Sequence, residues 1–196
     1  MTSPQRRLLP SVLELFRQRD PECAVLLVGS VQRRYERPAS DIDLLVIVRD
    51  DVQADPAWTQ RWEHRGARSF TIHLSGFELC TFFATISAME RWLTETPFHM
   101  YPFSQGEILQ DPAGVARRLQ SFAQGYFKKH PELAQAWEKQ LAAHKQVKLT
   151  GVDANGFYRT PEGTLAKYMT LDVFSAHISK LAGSAAQGRA GLPDLR

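Results

Sequence analysis

Leu26-Leu27-Val28-Gly29-Ser30, ten intervening residues, then Asp41-Ile42-Asp43-Leu44-Leu45-Val46-Ile47-Val48: the reading of this chain turns on that stretch. In a strand, residues i and i+2 face the same way. Asp41 and Asp43 therefore project together, while Ile42 and Leu44 face the other side. Leu44 to Val48 is apolar at every position, the pattern of a central strand covered on both faces. Adjacent carboxylates repel one another unless a cation lies between them. Mg²⁺ takes oxygen ligands, commonly one or two carboxylates together with substrate phosphates. The pair is a candidate metal site, and two such ions would activate an attacking hydroxyl and neutralise a departing pyrophosphate. An Asp-x-Asp by itself also fits a solvated strand start; its place at the mouth of a central strand argues for a site.

Ala24 to Val28 is a short apolar run that ends on Gly29, which reads as a buried strand followed by a turn. A glycine there lets the backbone come close to a phosphate. The amides of the turn and of the next helix start form an anion nest, and the Ser30 hydroxyl adds a hydrogen bond. Arg33, Arg34 and Arg37 lie between the glycine and the aspartates.

Outward from this centre, Ser11 caps a helix with an apolar face of Val12, Leu15 and Phe16. A short polar helix from Val31 to Glu36 is stopped by Pro38. Asp50 to Pro56 is a loop, and Trp58 to Arg65 forms one or two helical turns. Ser69 to Leu74 alternates as a third strand. Phe77 to Ala84 and Ala88 to Leu93 read as helical, and Glu107 to Leu109 as an edge strand. Asp111-Pro112 opens a helix, with the aspartate as cap and proline at its first position. Helical faces follow: Val115, Leu119, Phe122 and Tyr126; then Leu133, Trp137 and Leu141; then Leu171, Phe174, Ile178 and Leu181. Gly151 to Gly163 is a long loop, and the Gly-, Ala- and Ser-rich tail from Gly183 is expected to be disordered. The fold class is α+β: a small mixed sheet flanked by helices over residues 1–110, then a helical region over 111–182. The helical faces are too apolar to stay wet; they pack on the sheet half or on a second copy of the chain, as in a homodimer.

The 196 residues carry a formal charge of +3. That mild basic balance suits a phosphate-bearing ligand, but Lys and Arg are spread along the chain, so nucleic acid is not indicated. Cys23 and Cys80 are the two cysteines; they read as buried thiols of a reducing compartment. No signal peptide or apolar run of membrane-spanning length is visible, so a cytoplasmic protein is expected.

Val28-Gly29-Ser30, the ten-residue gap and Ser40-Asp41-Ile42-Asp43-Leu44-Leu45-Val46 resemble the signature of the DNA polymerase β-like nucleotidyltransferase superfamily. The spacing is similar to that of its minimal nucleotidyltransferase and aminoglycoside nucleotidyltransferase branches. The close likeness runs from Leu26 to Val48, with a weaker one through Glu107 to Tyr126. The resemblance implies the small mixed sheet. It also implies Mg²⁺-dependent transfer of a nucleoside monophosphate, AMP from ATP, to a hydroxyl with release of pyrophosphate. Gly29 and Ser30 would hold the triphosphate, with Arg33 and Ser40 as further candidate nucleotide-binding residues, and Asp41 and Asp43 would hold two Mg²⁺ ions.

The family usually has a third carboxylate on a later strand. Here the candidate strand, Arg68 to Leu74, has no acid. His73 stands about where one belongs and is a candidate catalytic base, with an unperturbed pKa near 6.5; Glu78 is the nearest acid. The resemblance leaves three readings. A small-molecule acceptor fits the helical half, because aminoglycoside-type relatives build their acceptor site partly from such helices. An antitoxin-type enzyme would modify a partner toxin. A non-catalytic nucleotide-binding module would follow from the absent third acid.

Overall fold

A computed structural model describes residues 3–49, 59–64 and 67–186. The first helix, α1 (Pro4–Arg17), starts two turns earlier than the sequence suggested. The Ser3 hydroxyl accepts from the Arg6 amide at 3.3 Å and Pro4 occupies the first turn, so a cap and a pre-set φ sit side by side at Ser3-Pro4. Ser11 lies inside the helix. Leu9, Val12 and Phe16 form its buried stripe.

The chain continues as β1 (Ala24–Val28), the single turn α2 (Gly29–Gln32), β2 (Ile42–Val48), β3 (Thr59–His64), β4 (Ala67–Leu74) and β5 (Phe77–Thr85). It then forms α3 (Ile86–Glu95), a 3₁₀ turn (Pro97–His99), α4 (Tyr101–Gln105), β6 (Glu107–Gln110) and α5 (Val115–Lys129). The sheet order is β3-β4-β5-β2-β1-β6. The β2–β5 pair is parallel and its other neighbours are antiparallel. This is the mixed sheet flanked by helices expected from the sequence.

Two segments differ from that reading. Residues 59–64 are a strand, not helical turns; Trp58, Arg65 and the Asp50–Pro56 segment lie outside the described residues. More consequentially, Phe77–Thr85 is a strand, not a helix. Ser75 and Gly76 have φ of +51° and +82°, the left-handed pair of a two-residue hairpin. They fold β5 back onto β4 in perfect register from Leu74↔Phe77 to Ala67↔Ala84. The β-branched and aromatic residues of 77–85 suit a pleated, paired surface. As a result β5, and not the 70–74 strand, lies next to β2.

Both faces of the central strands are covered. On one, Val25, Leu27, Ile42, Leu44, Val46 and Val48 meet Leu9, Val12 and Phe16 of α1. On the other, Ala24, Leu26, Leu45 and Ile47 meet Met89 and Leu93 of α3, Phe103 of α4, and Ala116, Leu119 and Ala123 of α5. Asp111 does cap α5, its two oxygens accepting from the Ala116 and Arg117 amides at 3.1 and 2.9 Å. The helix nevertheless begins at Val115, after the Asp111–Gly114 turn.

The chain divides into two compact units, Met1–Gln124 and Gly125–Arg196. In the second, α6 (Pro131–Thr150), a hairpin of β7 (Phe157–Arg159) and β8 (Leu165–Lys167), and α7 (Leu171–Ala186) pack together. Trp137 stacks edge-on against Phe174 with ring centres 4.7 Å apart, and Gln140 donates to the Met169 carbonyl at 2.7 Å. The hairpin occupies part of what the sequence presented as a loop. Residues 183–186 continue α7, and the rest of the expected disordered tail lies outside the described residues. Among the described residues no helix is long and apolar enough to cross a membrane.

Candidate active site

The site is assembled where β1 ends and β2 begins. Val28 pairs with Asp43 across the antiparallel β1–β2 ladder, so the residue after Val28 emerges beside the Asp43 side chain. That residue is Gly29, with φ of +69°, a left-handed conformation natural to glycine. A Cβ at Gly29 would lie 2.7 Å from Asp43 Cγ and closer still to Oδ2. The turn and the carboxylate are therefore packed backbone against side chain, and only hydrogen fits between them. Ser30 follows, 2% exposed, its carbonyl accepting from the Tyr35 amide at 3.1 Å.

The loop that carries the chain from α2 to Asp41 is held from α1. Arg37 and Ser40 close a tight turn: the Arg37 amide donates to Ser40 Oγ at 2.8 Å and the Ser40 amide to the Arg37 carbonyl at 2.9 Å. The Gln5 side-chain amide donates to the carbonyls of Arg37, Pro38 and Ser40 at 2.7, 3.2 and 3.3 Å. Its neighbour Arg6 donates to the Val31 and Gln32 carbonyls at 3.2 and 3.4 Å and is paired with Glu107 at 2.8 Å. The first turn of α1 thus pins both ends of the segment between the glycine and the aspartates. Ser40 is buried in that turn, Arg33 is half-buried at the end of α2, and Arg34 and Arg37 are exposed.

Asp41 and Asp43 are both half-buried, while Ile42 and Leu44 are buried in the opposite core. The third corner is Cys80. Its Cα is the partner of Asp43 in the parallel β2–β5 register. Its thiol donates to Asp41 Oδ2 at 3.5 Å, with Glu78 Oε1 at the same distance. One oxygen from each aspartate and the Cys80 sulfur lie within 4.8 Å of one another. Partial burial and, next, the charges of Asp41 and Asp43 push the thiol up to about 12, so the metal-free site holds a neutral thiol between carboxylates. The carboxylates suit Mg²⁺; sulfur is not a ligand that Mg²⁺ takes.

His73 lies on the same face as this cluster but farther along the sheet. It pairs with Glu78 across β4–β5 and is exposed. With β5 between them, the backbones of β4 and β2 are about 9–10 Å apart, and the ligand cluster found among the described residues is Asp41, Asp43 and Cys80, without His73. Thr71, the cross-strand partner of Cys80, is 7% exposed and its hydroxyl lacks a hydrogen-bond partner. Sequence reasoning missed Cys80 because it read 77–84 as a helix. Read as a strand after a Ser-Gly turn, Glu78 and Cys80 fall on one face by the same i, i+2 rule that joins Asp41 to Asp43.

Residues 9–99 match the nucleotidyltransferase domain family. No curated protein matches the sequence. Among solved structures, a nucleotidyltransferase-like protein from Exiguobacterium sibiricum is 14% identical, the alignment covering 94% of this chain and 68% of that one, with a TM-score of 0.40. The Cid1 poly(U) polymerase is also 14% identical, in a mutant bound to MgATP and in a form bound to MgGTP, with TM-scores of 0.29 and 0.30. Those alignments cover 52% of this chain and 39% of the polymerase, so the chain spans about two fifths of that protein's length.

Proposed function

We propose that this nucleotidyltransferase, whose domain of the DNA polymerase β-like superfamily spans residues 9–99, transfers AMP from ATP to a hydroxyl of a small molecule. The observation that carries the reading is the Gly29–Asp43 contact. It joins a backbone turn suited to phosphate to a carboxylate pair suited to Mg²⁺, with no side chain between.

The Gly29 and Ser30 amides cradle the triphosphate, and Arg33 adds positive charge beside it. Ser40, tied to Arg37 and Gln5, holds the approach to Asp41 rigid. Asp41 and Asp43 would hold Mg²⁺, which when bound would supply positive charge against that of the triphosphate and the leaving pyrophosphate. The acceptor oxygen attacks the α-phosphorus, the bond from that phosphorus to the bridging oxygen breaks, and pyrophosphate departs. The acceptor's proton passes to a base. His73, exposed on the same face two strands away, is the candidate for that base.

The test is incubation with each labelled NTP, a divalent cation and a panel of hydroxyl compounds, following pyrophosphate and labelled product. ATP should be the productive donor. Asp43→Asn should abolish turnover while the fold, read by circular dichroism, persists. Wild-type turnover in that variant would dispose of the assignment. His73→Ala should lower turnover if its imidazole takes the acceptor's proton; undiminished turnover would place the base elsewhere.

A further inference from the structure

We infer that Asp41, Asp43 and Cys80 form an oxygen–oxygen–sulfur site for a thiophilic divalent cation of the Zn²⁺ or Co²⁺ type, distinct in its metal preference from the Mg²⁺ that the two carboxylates take with a nucleotide. The inference rests on the reading of Asp41 and Asp43 as metal ligands.

The donor set argues it first. Mg²⁺ demands oxygen ligands in octahedral array, whereas Zn²⁺ and Co²⁺ accept mixed carboxylate and thiolate ligands in tetrahedral array. Two carboxylates and a thiolate provide three negative charges, enough to overcompensate one divalent ion and hold it without a nucleotide. The spacing argues it second. A tetrahedral ion with bonds of about 2.0 Å to oxygen and 2.3 Å to sulfur has an oxygen–sulfur edge of about 3.5 Å. The Cys80 Sγ to Asp41 Oδ2 separation is 3.5 Å. Glu78 Oε1, also 3.5 Å from the sulfur, stands at the rim as a further oxygen donor.

The third argument is independent of the cluster. Thr71 is more than nine-tenths buried, and its Oγ1 has no hydrogen-bond partner. Buried hydroxyls are ordinarily paired. Thr71 is the direct Cα partner of Cys80 on β4, so both side chains stand on the same face of the sheet. In the metal-free structure that hydroxyl makes no hydrogen bond to the Cys80 sulfur; a metal-bound thiolate, a better acceptor than the neutral thiol, would draw it over. Thr71 is then a positioning residue, orienting the sulfur from behind, as outer groups do at metal sites.

The test uses the full chain carrying Cys23→Ala, so that Cys80 is its sole thiol, titrated with Co²⁺ in the absence of nucleotide. A thiolate-to-cobalt charge-transfer band should grow with one equivalent. Zn²⁺ should erase it, and a hundredfold excess of Mg²⁺ should not. Cys80→Ser should lose the band and bind Co²⁺ at least tenfold more weakly. Thr71→Val should keep the band with affinity down roughly tenfold. Cys80→Asp should reverse the preference toward Mg²⁺ and Mn²⁺. As a check that needs no Cys80 variant to fold, Zn²⁺ but not Mg²⁺ should protect the thiol from a maleimide. Absence of the charge-transfer band, equal protection by Mg²⁺, or unchanged Co²⁺ affinity in Cys80→Ser would overturn the inference. None of these readouts depends on nucleotidyl transfer; failure of that reading would show instead as no pyrophosphate release with any cation.

Discussion

Replacing Gly29 by alanine separates two effects that usually travel together. The backbone at Gly29 has φ of +69°, where a Cβ costs about 1–2 kcal/mol. The same methyl would sit 2.7 Å from Asp43 Cγ, about 1 Å inside ordinary contact, so Asp43 must move. Gly76 is the control. Its φ is +82°, and nothing lies within 4 Å of the position its Cβ would take. Gly76→Ala therefore reports the backbone strain alone: a loss of about 1–2 kcal/mol in urea unfolding, or about 2–4 °C in Tm per kcal/mol, with unchanged metal and nucleotide binding. Gly29→Ala should show that loss and, beyond it, a large fall in binding. A misplacement of about 1 Å at a reacting centre costs on the order of a hundredfold in rate. Calorimetric titration with Mg²⁺ and ATP, paired with pyrophosphate release, reads the difference. If the two variants bind and turn over alike, the Gly29–Asp43 contact has no functional consequence and the proposed cradle fails.

Gln5→Leu removes the donor shared by the Arg37, Pro38 and Ser40 carbonyls; stability should fall by about 1–3 kcal/mol and divalent-cation affinity with it, and a variant that loses stability while binding normally would show that the clamp does not position Asp41. Cys23 is 2% exposed, and burial, with Asp20 as the next cause, raises its thiol from 9.0 to about 11. Because the folded value is the higher one, its contribution is complete below pH 9 and is lost as pH rises toward 11, by up to about 3 kcal/mol. The urea midpoint should drop across that window in the wild type and less steeply in Cys23→Ala; parallel slopes would refute it. A chain ending at Gln110 lacks Ala116, Leu119 and Ala123, each 0% exposed in the second core. It should aggregate on purification, and a soluble, cooperatively unfolding fragment would contradict the packing.

The carboxylate pair was legible because its geometry is local. Alternation along one strand fixes that Asp41 and Asp43 share a face, and an unbroken apolar run after them announces a strand covered on both sides. The turn at Gly29 was likewise legible from a glycine placed after a buried strand. Cys80 was not legible in this way. Phe77-Glu78-Leu79-Cys80-Thr81-Phe82-Phe83-Ala84 is a short, largely apolar run whose periodicity does not separate helix from strand. Pairing with β4 through the Ser75-Gly76 turn, and with β2 in parallel, settles it as β5. Ser40 shows the same limit: the sequence offered it as a candidate nucleotide-binding residue, and only the fold reveals the turn it closes with Arg37 under Gln5, 35 residues away along the chain. The sequence by itself determined the carboxylate pair, the turn beside it and the class of fold. The tertiary structure decided which strand stands next to Asp43 and that its side chain there is a thiol, because register between strands distant in sequence is set by packing across the sheet and not by any pattern within one of them.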